Sequence, residues 1–361
     1  MNSVPLQFAT TSDGVRIACV SLGDGPPIIW ASNIIGEATC YRVGMPSVRE
    51  VTDRLVGLGW RVIRYDVRGV AGSDRKVEDL SLEGRLRDLA AVIGHFGLDR
   101  FALGGVDVGA ATAVAYAVQH PSSVSHLILL SPWASGGRYL MIPELRAANA
   151  APTASDGEWK IFLNIHVSVA AGFNDADYVR QGTEAAFQNW SAPGFAAFNA
   201  ATARIEITNL LPQVTVPTLV THEPAFPFGS FELCREVAAG IRGAEFLIMN
   251  ENSLAGRVHD ENVATIDRFL RSGTTTGSTS RAPSHAPTRL PAASDGLTPR
   301  ELQVLRLVAA GSTNKAIAGE LGVAVSTVER HLVNLYTKIG ARGRADATAY
   351  ALRHRIDTPP V

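Results

Sequence analysis

Two periodicities share the first 270 residues of the chain. Six apolar runs, PPIIWAS (26–32), WRVIRYD (60–66), RFALGGV (100–106), SHLILLS (125–131), VPTLVTH (216–222) and AEFLIMN (244–250), are nearly continuous. That is the pattern of strands covered on both faces. Between them, 47–59, 82–97 and 109–120 carry apolar positions at helical spacing. Alternation of the two predicts an α/β unit, a doubly wound, mostly parallel sheet with helices on both faces. The opening LQFATTSDGVRIACVSLG alternates apolar and polar positions around Asp13-Gly14, so it predicts an antiparallel hairpin. From about 135 to 210 the alternation lapses. Trp159, Phe162, Phe173, Trp190 and Phe195 stand there in helix-like surroundings, which predicts an inserted helical cap.

The pattern stops at RSGTTTGSTSRAPSHAPTRLPAASDG (271–296). This stretch of Ser, Thr, Pro and Gly with a single leucine buries too little apolar surface to offset the entropy of ordering it. Three regions result: a large α/β unit over 1–271, a flexible linker over 272–296 and an all-α unit over 297–361. A length of 361 residues agrees with two domains. The cysteines Cys19, Cys40 and Cys234 are odd in number and lack metal-ligand spacing, so neither a disulfide framework nor a zinc site is expected. No cofactor or metal is called for. The N-terminus has no basic start followed by an apolar run, and no window approaches a membrane span. The cytoplasm is the expected compartment, with no membrane partner.

The C-terminal unit opens with a capping box: Thr298 faces the first free amides, Pro299 suits the first helical position and Glu301 can reach back. Leu302, Leu305 and Val308 give this helix an apolar face and Gly311 stops it. A short helix at 314–321 ends at Gly322, and a third is predicted over 326–339, making a helix-turn-helix. Charge is divided unevenly. Residues 297–355 hold nine Lys or Arg against four acids, a balance of +5 in a chain whose net charge is −1. Concentrated basic charge is the footprint of phosphate contact.

On Leu297-Thr298-Pro299-Arg300-Glu301, Val304-Leu305, Gly311, Asn314-Lys315, Ile317-Ala318, Leu321, Thr327-Val328, His331-Leu332 and Lys338-Ile339-Gly340, the segment resembles the LuxR-type helix-turn-helix domain. It departs at Ala324, where that family usually has a capping serine, and at Glu329, a place often basic. The resemblance implies binding to double-stranded promoter DNA as a homodimer on paired half-sites. Ser326, Glu329, Arg330 and Val333 are the candidates for base edges; Lys315, Thr327, Lys338, Arg342 and Arg344 are the candidates for phosphates. The last helix, 344–354, with Ala347, Ala349 and Leu352, is the candidate pairing face, with packing inside the monomer as the alternative.

The sheet pattern, GGVDVGA (104–110), YDVRGVAGSD (65–74) and the cap make residues 5–271 resemble the α/β-hydrolase fold, and more closely the hydrolase-like domains attached to bacterial regulators. Hydrolysis requires a nucleophile, a histidine base, an orienting acid and oxyanion donors. The resemblance puts Asp107 at the nucleophile's place, where some members of the fold attack with a carboxylate. It puts the base at Asn252 or Ser253, with His259 about six residues later, and the acid at Phe226, with Glu223 three residues earlier. The oxyanion loop reads Ser32-Asn33. Three altered parts together imply a degenerate site, a pseudoenzyme. Its pocket would then serve as a receptor floored by Asn33, Ile34, Asp107, Val108 and Trp133. Trp159, Phe162, Phe173 and Trp190 would close it, and Phe226 and Phe228 would add apolar wall.

The expected function is therefore a ligand-responsive, one-component transcription regulator. It would sense a small, mostly hydrophobic molecule whose hydroxyl, amide or cationic group meets Asp107. Asp107 also admits a purely structural reading, as a carboxylate at a helix N-terminus. Two rival functions remain: an active hydrolase of epoxides, halides or esters with Asp107 and His259, and a constitutive DNA-binding protein whose large unit only dimerises.

Overall fold

The computed structural model describes residues 4–31, 37–43, 46–142, 145–146, 155–170, 176–224, 226, 228–249, 260–273, 299–309, 312 and 314–321, with 328, 332, 335, 347, 350 and 351 as single positions. The chain divides into two compact units, Met1–Thr279 and Ser280–Val361. The expected linker lies almost wholly outside the described residues.

The larger unit is built on one eight-stranded sheet: β1 (Gln7–Thr10), β2 (Arg16–Leu22), β3 (Pro27–Ala31), β4 (Arg61–Tyr65), β5 (Phe101–Val106), β6 (Val124–Leu130), β7 (Thr218–His222) and β8 (Glu245–Ile248). Their order in space is β1-β2-β4-β3-β5-β6-β7-β8. β1 and β2 form the expected hairpin around Asp13-Gly14, and β2 joins β4 antiparallel. Every other pairing is parallel.

Alternate residues of each strand feed opposite faces. Ile29, Ala31, Ile63 and Tyr65 join the larger core with Leu89, Val92, Ala110 and Val114, from helices α3 (Leu82–His95) and α4 (Val108–Gln119). Ile28, Trp30 and Val62 join the smaller core. There they meet Leu55 of α2 (Pro46–Gly57) and Val263, Ile266 and Phe269 of the C-terminal helix of this unit, Asp260–Ser272. Helix α1 (Glu37–Val43) was not part of the apolar pattern. Its place is fixed by polar groups: buried Asp66, just after β4, accepts from the amides of Ala38 (2.8 Å) and Thr39 (3.1 Å), and Glu37 pairs with buried Arg64.

The cap forms where expected. It comprises a short helix α5 (Gly136–Tyr139), then α6 (Asp156–Ala170), α7 (Ala176–Asn189), α8 (Ala192–Thr202) and a 3-10 turn at Thr208–Gln213. Helix α9 (Phe231–Gly240) follows β7. No helix among the described residues is long and apolar enough to cross a membrane.

Chain order reverses between β3 and β5: from β3 the chain runs to β4 on one side and then crosses to β5 on the other. The carboxyl ends of these strands flank the crevice at which open α/β sheets bind ligands. Two glycines allow the close packing beside it. A Cβ on Gly104 would lie 2.5 Å from the Trp30 ring, and one on Gly105 2.6 Å from the carbonyl oxygen of Gly109. Backbone cannot yield as a side chain can. Gly105→Ala is therefore expected to destabilise the unit by about 3 kcal/mol or more and Gly104→Ala by less, read from urea denaturation.

Candidate functional site

Asp107 stands between β5 and α4 with φ 51° and ψ −116°, a backbone region that L-residues rarely occupy. This strained strand-turn-helix is the geometry that presents a nucleophile in hydrolases. The side chain, however, is already engaged. Trp133 Nε1 donates to Oδ1 at 2.7 Å, and the Tyr139 hydroxyl donates to Oδ2 at 2.8 Å. The two rings stack on each other, 5.1 Å between centroids and 15° between planes, and all three residues are buried. Burial pushes the Asp107 carboxyl up to about 6, against the opposing pull of the Trp133 and Tyr139 bonds and of the Arg85 charge.

A carboxyl whose folded pKa lies above its unfolded value of about 4 binds its proton more tightly in the native state. Its contribution to stability is greatest below pH 4 and is lost as pH rises through 6. Asparagine can keep both contacts, since its amide oxygen accepts from Trp133 while the Tyr139 hydroxyl turns to accept from its NH₂. Asp107→Asn should therefore fold, and its stability loss between pH 4.5 and 7.5 should be about 2 kcal/mol smaller than that of the wild type. Melting curves across that range check this.

The other expected site residues divide into those the structure places and those it leaves undescribed. Val108 is buried at the first position of α4, and Trp133 is bonded to Asp107 as above. Trp159, Phe162 and Trp190 pack mainly on one another and on Phe195. Trp159 stacks on Phe162 at 5.1 Å and donates to the Trp190 carbonyl at 3.0 Å. Phe195 meets Trp159 at 5.5 Å, Phe162 at 5.6 Å and Trp190 at 5.9 Å. They are the cap's own core, continuous with that of the sheet. At the acid position Phe226 is half-buried, its ring edge-on to Phe228 at 5.6 Å, while Glu223 is buried directly after β7. Asn33, Ile34, Phe173, Asn252, Ser253 and His259 lie outside the described residues. Two grooves of about 470 and 480 Å³ lie in the larger unit, one lined by α6 and α7, the other by Glu78–Glu83 and α8, and Asp107 lines neither.

Three residues near the site escaped the sequence reading. Tyr139 follows a Gly-Gly pair in an apparent loop, so nothing in its spacing marked it. Arg85 was legible in principle: Leu82, Arg85, Asp88, Leu89 and Val92 recur at helical spacing, which puts a cation on the face that packs inward. It is buried, its Nη2 donating to Thr202 Oγ1 at 3.0 Å. His166 stacks on Phe228 at 4.8 Å, and burial pulls its imidazole down to about 4, so it is neutral at physiological pH.

In the smaller unit the helices Pro299–Ala309 and Asn314–Leu321 form as expected. Val304, Leu305, Val308, Ile317, Ala318, Val328, Leu332 and Leu335 make its core. Val304, absent from the expected face, is fully buried, whereas Leu302 is only partly so. Arg300 Nη2 donates to the Leu321 carbonyl at 2.7 Å, closing the end of the second helix with the first. Ala347 corrects one expectation. It lies wholly inside this unit's core, so it packs within the monomer and presents nothing to a second copy. The side chain of Lys315 and all of Ser326, Thr327, Glu329, Arg330, Val333, Lys338, Arg342 and Arg344 lie outside the described residues.

Comparison with known proteins agrees with both architectures. Residues 295–351 match the family of bacterial regulatory proteins, luxR family, and residues 44–147 match the alpha/beta hydrolase fold. Among solved structures the chain is similar to an esterase from Exiguobacterium antarcticum (20% identity, TM-score 0.62, covering 74% of this chain and 99% of that one). It is also similar to an esterase from Rhodococcus sp. ECU1013 (18%, 0.60, 74% and 98%) and to a thermophilic esterase from Thermogutta terrifontis (21%, 0.58, 74% and 99%). At such identities the likeness establishes the fold. The chain joins an alpha/beta-hydrolase-fold domain to a LuxR-family helix-turn-helix domain. The LuxR-family match supports DNA binding and a regulatory role for a chain whose larger domain has the hydrolase fold.

Proposed function

We propose that the protein is a one-component transcription regulator whose hydrolase-fold domain senses a small organic molecule without turning it over, and which binds promoter DNA as a homodimer in the cytoplasm. The observation that carries this reading is the state of Asp107. A carboxylate with each oxygen held by a buried donor, Trp133 and Tyr139, is pinned in place and its charge is partly neutralised, so attack would require loosening a bond the fold supplies. The same bonds give Asp107 a role in signalling. They tie the end of β5 to the first turn of the cap, so a ligand that displaces cap helices is felt at the sheet. Such a shift requires differential affinity of the ligand for the two arrangements. Asp107 is thus a link between ligand and sheet, and the ligand's own contacts lie elsewhere under the cap.

The test has two arms. Purified protein incubated with chromogenic esters, epoxides and haloalkanes should show no turnover; hydrolysis abolished by Asp107→Asn would establish the enzyme reading instead, with buried Glu223 as the first residue to examine. Thermal-shift screening should find a compound that raises the melting temperature and changes affinity for promoter DNA in a mobility-shift assay. A compound that does the first without the second would leave a binding protein and no sensor.

A further inference from the structure

Where helix α3 meets cap helix α8, one cation is buried with much of its hydrogen-bonding capacity unused. Arg85 is 2% exposed. One nitrogen donates to Thr202, and its plane lies 4.2 Å from the centroid of the Phe198 ring. Its Nε and Nη1 have no hydrogen-bond partner among the described residues. A guanidinium removed from water costs folding energy that only a counter-charge and full hydrogen bonding recover. The neighbouring acids Asp88 and Asp107 lend counter-charge but no hydrogen bond, because each is engaged elsewhere. Asp88 is taken by the backbone amide (2.9 Å) and Nε (2.8 Å) of Arg68. Asp107 is taken by Trp133 and Tyr139. Burial lowers the Arg85 pKa only to about 10, so the side chain keeps its charge at neutral pH.

We propose that Arg85 is the anion-binding residue of the sensor domain and that the ligand is an organic carboxylate with an apolar body. The carboxylate completes the guanidinium's hydrogen bonds, and the body lies among the rings around it. Phe198 holds the guanidinium plane and leaves its edges as donors, and it belongs to the same helix as Phe195, the centre of the cap's aromatic core. The inference rests on the sensor reading above and alters one expectation of it: the polar end of the ligand is negative rather than cationic, because the unused group under the cap is Arg85 and the engaged one is Asp107.

Arg85→Met preserves length and apolar contact while removing the charge. For an arginine kept for a ligand, the ligand-free variant should melt roughly 4 °C higher than the wild type. A fall in melting temperature would assign Arg85 a structural role and overturn the proposal, whether or not any probe binds. The full-length protein is then titrated with 3-phenylpropionate and octanoate beside their uncharged amides. At least one acid should bind and its amide should not, with acid affinity about 30-fold weaker in Arg85→Met and largely restored in Arg85→Lys. Equal binding of acid and amide, or of acid to wild type and Arg85→Met, would refute the anion site. The sensor reading fails separately: an Arg85-dependent acid that leaves DNA affinity unchanged removes sensing and keeps the site, whereas an amide that changes DNA affinity removes the site and keeps sensing.

Discussion

Replacing Arg68 by methionine is expected to destabilise the hydrolase-fold domain by about 3–5 kcal/mol, the cost of leaving a buried charge without its partner. Arg68 is 1% exposed and ties three parts of the chain together. Its backbone amide and Nε hold Asp88 of α3, its Nη1 (2.8 Å) and Nη2 (3.1 Å) hold Asp13 in the β1-β2 turn, and Nη1 also reaches the Asp79 carbonyl. Asp88 has no exposure, and burial pushes its carboxyl up to about 6 even with Arg68 beside it. Without Arg68 its pKa should rise further, so the variant can escape the penalty by binding a proton. A carboxyl of raised pKa contributes most stability at low pH and loses it as pH rises through the folded value. The deficit of Arg68→Met relative to wild type should therefore shrink at pH 5 and be largest at pH 8. Urea denaturation at the two pH values measures it. An equal deficit at both would mean that Asp13, whose carboxyl these arginine bonds hold well below the usual range, dominates instead.

The same network shows what a sequence makes legible. Strands β3 to β8 were readable because each carries an apolar run, which in β3 to β7 is buried between helices on the two faces of the sheet, while β8 is only half-buried. Asp13-Gly14 was readable because Gly14 adopts φ 84°, a conformation that glycine allows freely. Helix α1 was not readable, since buried Asp66 and the Arg64–Glu37 pair place it, and charged side chains look like surface in a pattern of apolar positions. Asp107 was legible as a turn of defined chemistry from Gly105-x-Asp107-x-Gly109. Its engagement was not, because Tyr139 lies 32 residues downstream and nothing local links the two. The cap aromatics were legible as a group. Whether they face a ligand or each other is decided in three dimensions, where Phe195 gathers Trp159, Phe162 and Trp190 around itself.

In the helix-turn-helix domain one basic residue, Arg300, is held by the fold, and it supplies a control for the second large effect, expected of the basic residues that the sequence assigns to phosphate. Simultaneous replacement of Lys338, Arg342 and Arg344 by alanine should lower the slope of log K against log salt for promoter DNA by about 2.7, since each phosphate contact releases about 0.9 counterion. The loss should be greatest at low salt, where the released counterions are worth most, and should fall equally on specific and unrelated sequences because phosphate contacts carry no base information. Arg330→Ala is expected to behave differently, costing about 1–3 kcal/mol on the specific site and relaxing preference at one base position. Arg300→Ala is the control that the structure supplies. Its guanidinium already donates to the Leu321 carbonyl, so its removal should reduce the domain's stability by about 1 kcal/mol and leave the salt slope unchanged. If Arg300→Ala instead flattened the slope as each of the other three does, the basic charge would act as a diffuse field over the whole domain. The assignment of phosphate contacts to the third helix and the segment after it would then fall.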